Sequence, residues 1–110
     1  MNIYVPEHRV MKMIAALKGS PLGLDSYDES VGKRIEGSSF PLSQSEVRAL
    51  ARSLEEKGLV ASIYERLDGL LIALTLEGRK FMEAEGAVFD AGSLERTRTL
   101  FKEWLCKADI

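Results

Sequence analysis

"ALARSLEEKGLVASIYERLDGLLIALTLEGRKFME", residues Ala49 to Glu83, decides the fold. Its opening continues a helical stripe that starts upstream: Val47, Leu50, Ala51 and Leu54 recur at i, i+3, i+4 and i+7, the pattern of one buried helix face. "SQSE" at 43–46 supplies the start, because a serine followed three residues later by glutamate forms a reciprocal capping box. Gly58 stands at the stop, where a left-handed residue is needed. The period then changes. "LVASIYER" and "LLIALT" are rich in branched and aromatic residues, and Asp68-Gly69 lies between them. That dipeptide suits a type I′ turn, in which both central residues take positive φ, so the pair reads as a hairpin. Thr75 then caps a further helix that opens with Leu76, Arg79, Lys80 and Phe81.

Working outward, a first helix begins near Pro6, since proline is favoured in the first turn. Val10, Met13, Ile14 and Leu17 form its core face, and "GSPLG" at 19–23 ends it. "SYDE" at 26–29 matches a second capping box, with Ser26 as the cap of a short helix whose apolar face is Val31 and Ile35. Gly32 weakens that helix by about 1 kcal/mol relative to alanine. "EGSSFP" at 36–41 is turn-like. Downstream, "EGAVFDAG" at 85–92 breaks the chain, and a last helix is predicted over about 93–107. The fold class expected is mainly α with a small antiparallel β-hairpin. One domain covers 1–110, with a core at about 6–86 and a C-terminal helix beyond it.

The bulk composition narrows the function classes. A chain of 110 residues can bury a real core without metal or disulfide support. Lysine and arginine number 15 against 17 aspartate and glutamate, a net charge of −2. That balance gives no global attraction to nucleic acid, so DNA binding requires a local patch. The single cysteine, Cys106, forms no internal disulfide and fits a reducing compartment. The N-terminus "MNIYVPEHRV" lacks the pattern of a secretory signal, and no stretch reaches the length of a membrane span. A cytoplasmic location is expected.

The order helix, helix, turn, helix, hairpin, helix resembles a winged helix-turn-helix domain. "VRALARSLEEKGLVASIYERLDGLLIALTLEGRKFME" is similar to the recognition helix, wing and following helix of bacterial winged-helix proteins of the MarR and PadR kind. In that superfamily a Leu-x-x-x-Gly-Leu-Val run ends the recognition helix, here Leu54–Val60. A Leu-Thr-x-x-Gly-Arg run leaves the wing, here Leu74–Arg79. The resemblance covers residues 31–83 well and about 6–105 in outline. It implies a homodimeric regulator of transcription that places the 43–57 helix in the major groove of double-stranded DNA, with Gln44, Ser45, Arg48 and Arg52 toward the bases. Lys33 and Arg34 on the preceding helix, and Arg66 on the wing, would meet phosphates.

Each of these readings has a plainer competitor. Arg48 and Arg52 can be solvent residues paired with Glu55 or Glu56. Lys33 and Arg34 can be a solvated helix face. Lys33, Arg34, Arg48, Arg52, Lys57 and Arg66 are interleaved with Glu36, Glu46, Glu55, Glu56 and Glu65, six cations against five carboxylates. The wing tip "ERLDGLL" has one basic residue and three leucines, Leu67, Leu70 and Leu71. Either two of these pack in the core, or one belongs to a protein contact, which favours a winged-helix module that binds a protein partner without DNA. Leu94, Phe101, Trp104 and Leu105 on the last helix pack on the first helix or meet a second subunit. Catalysis has little support. His8 has no neighbour at metal-ligand spacing, Cys106 reads as a small hydrophobe, and no glycine-rich loop cradles a phosphate. No cofactor is implied.

Overall fold

The computed structural model describes residues 3–18, 20–65 and 69–89. The elements run α1 (Val5–Ala16), β1 (Leu22–Gly23), α2 (Glu29–Glu36), α3 (Gln44–Glu56), β2 (Val60–Glu65), β3 (Gly69–Leu74) and α4 (Leu76–Ala84). The described chain is thus mainly helical with a small antiparallel sheet of three strands in the order β1-β3-β2. No described helix is long and apolar enough to cross a membrane. The C-terminal helix expected over 93–107 lies outside the described residues.

Helix α1 is the centre of the packing. Val10, Met11, Met13 and Ile14 are all buried, and α1 meets α2, α3, α4 and β3. Met11, outside the expected stripe, is buried because a central helix has neighbours on more than one side. The helix ends at Ala16, before the "GSPLG" turn, and Lys18 takes φ 57°. Helix α3 follows its sequence pattern closely. Ser43 accepts the Glu46 N–H, Glu46 accepts the Ser43 N–H, and Val47, Ala51 and Leu54 face inward. Gly58 adopts φ 76°, as its role at the helix stop requires.

Three expectations need correction. The cap of α2 is Asp28, whose Oδ1 accepts the Val31 N–H at 2.9 Å. Ser26 instead donates its hydroxyl to the Gly23 carbonyl, because residues 24–27 are held in a bracket described below. The "GSPLG" segment is more than a stop: Leu22 and Gly23 pair with Ile72 and Leu71 as β1. The hairpin register also differs. A two-residue Asp68-Gly69 turn would pair Leu67 with Leu70, whereas Leu70 pairs with Tyr64, and Glu65 pairs with Gly69. Three residues therefore separate the last strand pair. Gly69 retains a positive φ of 70°, which explains the glycine.

Gly32 has a packing reason. A Cβ there would lie 2.1 Å from the Tyr27 hydroxyl oxygen, and that buried hydroxyl donates to the Leu42 carbonyl at 2.7 Å. The two motifs on either side of the hairpin meet in space. Thr75 donates its hydroxyl to the Gly58 carbonyl at 2.6 Å and accepts the Gly78 N–H at 3.1 Å. Its own N–H reaches the Leu59 carbonyl at 3.1 Å. Gly78 must lack a side chain because a Cβ would sit 2.1 Å from that same carbonyl.

Candidate nucleic-acid interface

The exposed face of α3 carries Ser45, Arg48, Ala49, Arg52 and Glu56. These positions follow from helical geometry: they lie opposite Val47, Ala51 and Leu54, which are held in the core. The small Ser45 and Ala49 leave both arginines prominent. The Arg52 side chain makes no hydrogen bond or ion pair among the described residues. The Arg52–Glu56 pairing expected of a plain surface helix is therefore not formed. Glu55 instead accepts the Ser62 hydroxyl at 3.1 Å, turned toward the sheet.

The hairpin runs back alongside this helix. Ser62 touches Glu55, near the end of α3. Gly69 packs against Asp25, whose Oδ1 lies 3.5 Å from Nη2 of Arg48, in the first turns of α3. Tyr64 lies between these two tethers along the strand. It shares a sheet face with Ser62 and is 73% exposed. Tyr64 is thus an exposed aromatic residue on a strand tethered to α3 through Ser62.

A bracket made by residues 24–27 fixes the hairpin against α3. The Leu24 N–H donates to the Leu70 carbonyl at 2.8 Å. The Leu24 carbonyl accepts Nε2 of Gln44 at 2.7 Å, and Nε2 also lies 3.3 Å from the Tyr27 carbonyl. Leu24 and Tyr27 are buried, so the bracket has two apolar feet. Burial pushes the Tyr27 hydroxyl above its ordinary pKa, with the Glu36 charge acting in the same direction. Gln44, expected among the base-reading residues, is half-buried and uses its amide donor to hold the bracket.

Lys33 and Arg34 are exposed in the last turn of α2, where the helix dipole favours cations. Their side chains make no hydrogen bond or ion pair among the described residues. Glu36, counted against them in the sequence, is bound by Arg9 instead. Nε and Nη2 of Arg9 reach its two oxygens at 2.6 and 2.7 Å. Nη2 also donates to the Phe40 carbonyl at 2.7 Å, which fixes the turn before α3. The hydrogen bonds that Arg9 donates to Glu36 raise the Arg9 pKa further. Lys57 is likewise held internally, at 2.6 Å from the buried Glu7. Leu70 and Leu71 of the hairpin are both half-buried, and Leu70 packs partly against the core. Arg66, Leu67, Leu94, Phe101, Trp104, Leu105 and Cys106 lie outside the described residues.

Asp25 and Tyr64 are the residues that sequence reasoning missed. Asp25 sits in what reads as a helix-start segment, and no periodicity marks it. Tyr64 carries a weak signal: an aromatic residue at the far end of a strand, past the last core position. Among the described residues no group of three or more His, Cys, Asp or Glu side chains is placed to hold a metal ion. Compared with known proteins, the chain matches no family model, no curated protein and no solved structure.

Proposed function

We propose that this chain is a winged helix-turn-helix protein that binds double-stranded DNA and regulates transcription. The observation that carries the reading is the α3 face with Ser45, Arg48, Ala49 and Arg52 outward, together with the exposed Tyr64 on a hairpin strand that Ser62 ties to Glu55 of α3. The order α1-β1-α2-α3-β2-β3-α4 supports it, as does the meeting of the Leu54–Val60 and Leu74–Arg79 motifs through Thr75. In this reading α3 enters the major groove and Arg48 and Arg52 reach guanine edges or phosphates. Lys33 and Arg34 meet the backbone. A homodimer formed through residues 93–107 would set two α3 helices about 34 Å apart, one turn of the duplex. Sedimentation of the full chain tests that arrangement, and a monomer at micromolar concentration sinks it.

The experiment for DNA binding is titration of random-sequence duplex against salt, with wild type and an Arg48→Ala/Arg52→Ala double variant. Affinity that falls steeply with salt and is lost in the variant is the expected result. Absence of binding at low salt overturns the reading. The competing module that binds only protein rests on an apolar wing tip and the last helix, and the partial packing of Leu70 against the core weakens the first of these.

A further inference from the structure

We infer that Asp25 is an electrostatic restraint on Arg48, built into the joint between the hairpin and α3, and that it lowers affinity for duplex DNA without regard to sequence. This rests on the DNA-binding reading and assigns a regulating residue to the same surface.

The placement of Asp25 is not incidental. The Leu24 N–H bonds the hairpin and the Leu24 carbonyl bonds α3 through Gln44, so the residue that follows is fixed at the junction of both. One carboxylate oxygen lies directly over Gly69: a Cβ there would be 1.7 Å from Oδ2 and 2.4 Å from Cγ. A side chain at 69 would push the carboxylate aside, and the positive φ of Gly69 favours glycine independently. The other oxygen faces Nη2 of Arg48 at 3.5 Å.

The pair is loose and wet. The two side chains are 45% and 51% exposed, and a contact at that distance is weak. A phosphate oxygen can therefore compete for the guanidinium. While Asp25 holds Arg48, its negative charge also stands on the surface that a phosphate backbone approaches. Both effects act against binding, and neither depends on base sequence. The carboxylate thus tempers the two cations of a face that also carries Glu56 near its far end.

The test compares wild type, Asp25→Asn, Arg48→Ala and the Asp25→Asn/Arg48→Ala double variant in binding to random-sequence duplex across a salt series. Asparagine keeps the shape over Gly69 and removes the charge, and thermal unfolding confirms that the variants are folded. Asp25→Asn should bind about three- to tenfold more tightly at low salt. Its salt slope should steepen by about 0.9, the contribution of one more phosphate contact. In the Arg48→Ala background the gain should shrink to the smaller part that the carboxylate's own repulsion of phosphate contributes. Equal or weaker binding by Asp25→Asn, with wild type still binding, overturns this inference and leaves the DNA-binding reading in place. An equal gain in both backgrounds overturns the route through Arg48. No binding by wild type or Asp25→Asn at low salt overturns the DNA-binding reading and the inference with it.

Discussion

Replacing Glu7 by glutamine should unfold the protein at a markedly lower temperature. Glu7 is 1% exposed, yet its carboxylate is fully engaged. It accepts Lys57 Nζ at 2.6 Å, the Ser53 hydroxyl at 2.7 Å and the Tyr4 N–H at 2.9 Å. These contacts join the start of α1 to the end of α3. Breaking a fully buried pair costs about 3–5 kcal/mol. Lys57 is about a quarter exposed and its ammonium lies 4.8 Å from the Tyr4 ring centre, so it is not stranded when Glu7 loses its charge. Glutamine also keeps one acceptor. The expected loss is therefore about 2 kcal/mol, in the range of charged hydrogen bonds, and about 10 °C in Tm for a domain near this size. The pH dependence gives a second readout. Burial pushes the Glu7 pKa up, but the hydrogen bonds from Lys57, Tyr4 and Ser53 and the Lys57 charge outweigh it, so the folded value lies below the ordinary 4.5. A depressed carboxylate contributes stability that is fully present above the unfolded value and is lost as pH falls through the folded one. Wild type and Glu7→Gln should thus differ at pH 6 and converge in acid, because glutamine mimics the protonated side chain. Urea unfolding at a series of pH values measures this. A difference below about 0.5 kcal/mol at pH 6, or one that persists unchanged into acid, refutes the reasoning.

Gly32→Ala should destabilise despite a gain of about 1 kcal/mol in helix propensity. The new methyl meets the Tyr27 hydroxyl, which is tied to Leu42, and overpacking of this kind costs about 1–3 kcal/mol. Adding Tyr27→Phe should recover part of the loss, and a Gly32→Ala protein more stable than wild type would show that the ring yields freely. Tyr64→Ala should change stability by less than about 0.5 kcal/mol, because the side chain is exposed. It should weaken duplex DNA binding several-fold, as loss of an aromatic contact does; unchanged affinity would remove Tyr64 from the interface.

Local patterns were legible where one segment carries its own instruction. Val47, Ala51 and Leu54 repeat with the helix, Ser43 and Glu46 cap it, Gly58 ends it and Thr75 starts the next, and all of these stand as expected. What escaped was pairing at a distance. Strand β1 has two residues, too few to show a period, and exists only because Leu22 and Gly23 find β3 about fifty residues later. Glu7 reads as a surface charge until Lys57, fifty positions away, neutralises it. Gln44 occupies a position favourable for base contact by helix geometry, but the carbonyl of Leu24 lies within its reach. Ser26 matches a capping box by type and spacing, and Asp28 takes the cap because Tyr27 anchors the chain first.

Charge balance along a chain and charge at a surface are different quantities, and the difference sets a limit on the salt response. Arg9 neutralises Glu36, Glu7 neutralises Lys57, and Glu55 is turned toward Ser62. The outward cations left on α2 and α3 are Lys33, Arg34, Arg48 and Arg52. Each phosphate neutralised contributes about 0.9 to the salt slope, so these four account for at most about 3.6 per chain. Asp25 holds wild type below that limit, and Asp25→Asn approaches it. A measured slope well beyond about 4 per chain would require cations elsewhere: Arg66, or the arginines and lysines of residues 90–110. In Asp25→Asn, a slope of about 2 would match the two arginines of α3 alone and leave Lys33 and Arg34 as a solvated helix end. Removing Lys33 and Arg34 together then separates the two cases. The slope should fall by about two units if they touch the backbone, and should not move if α2 stands clear of it.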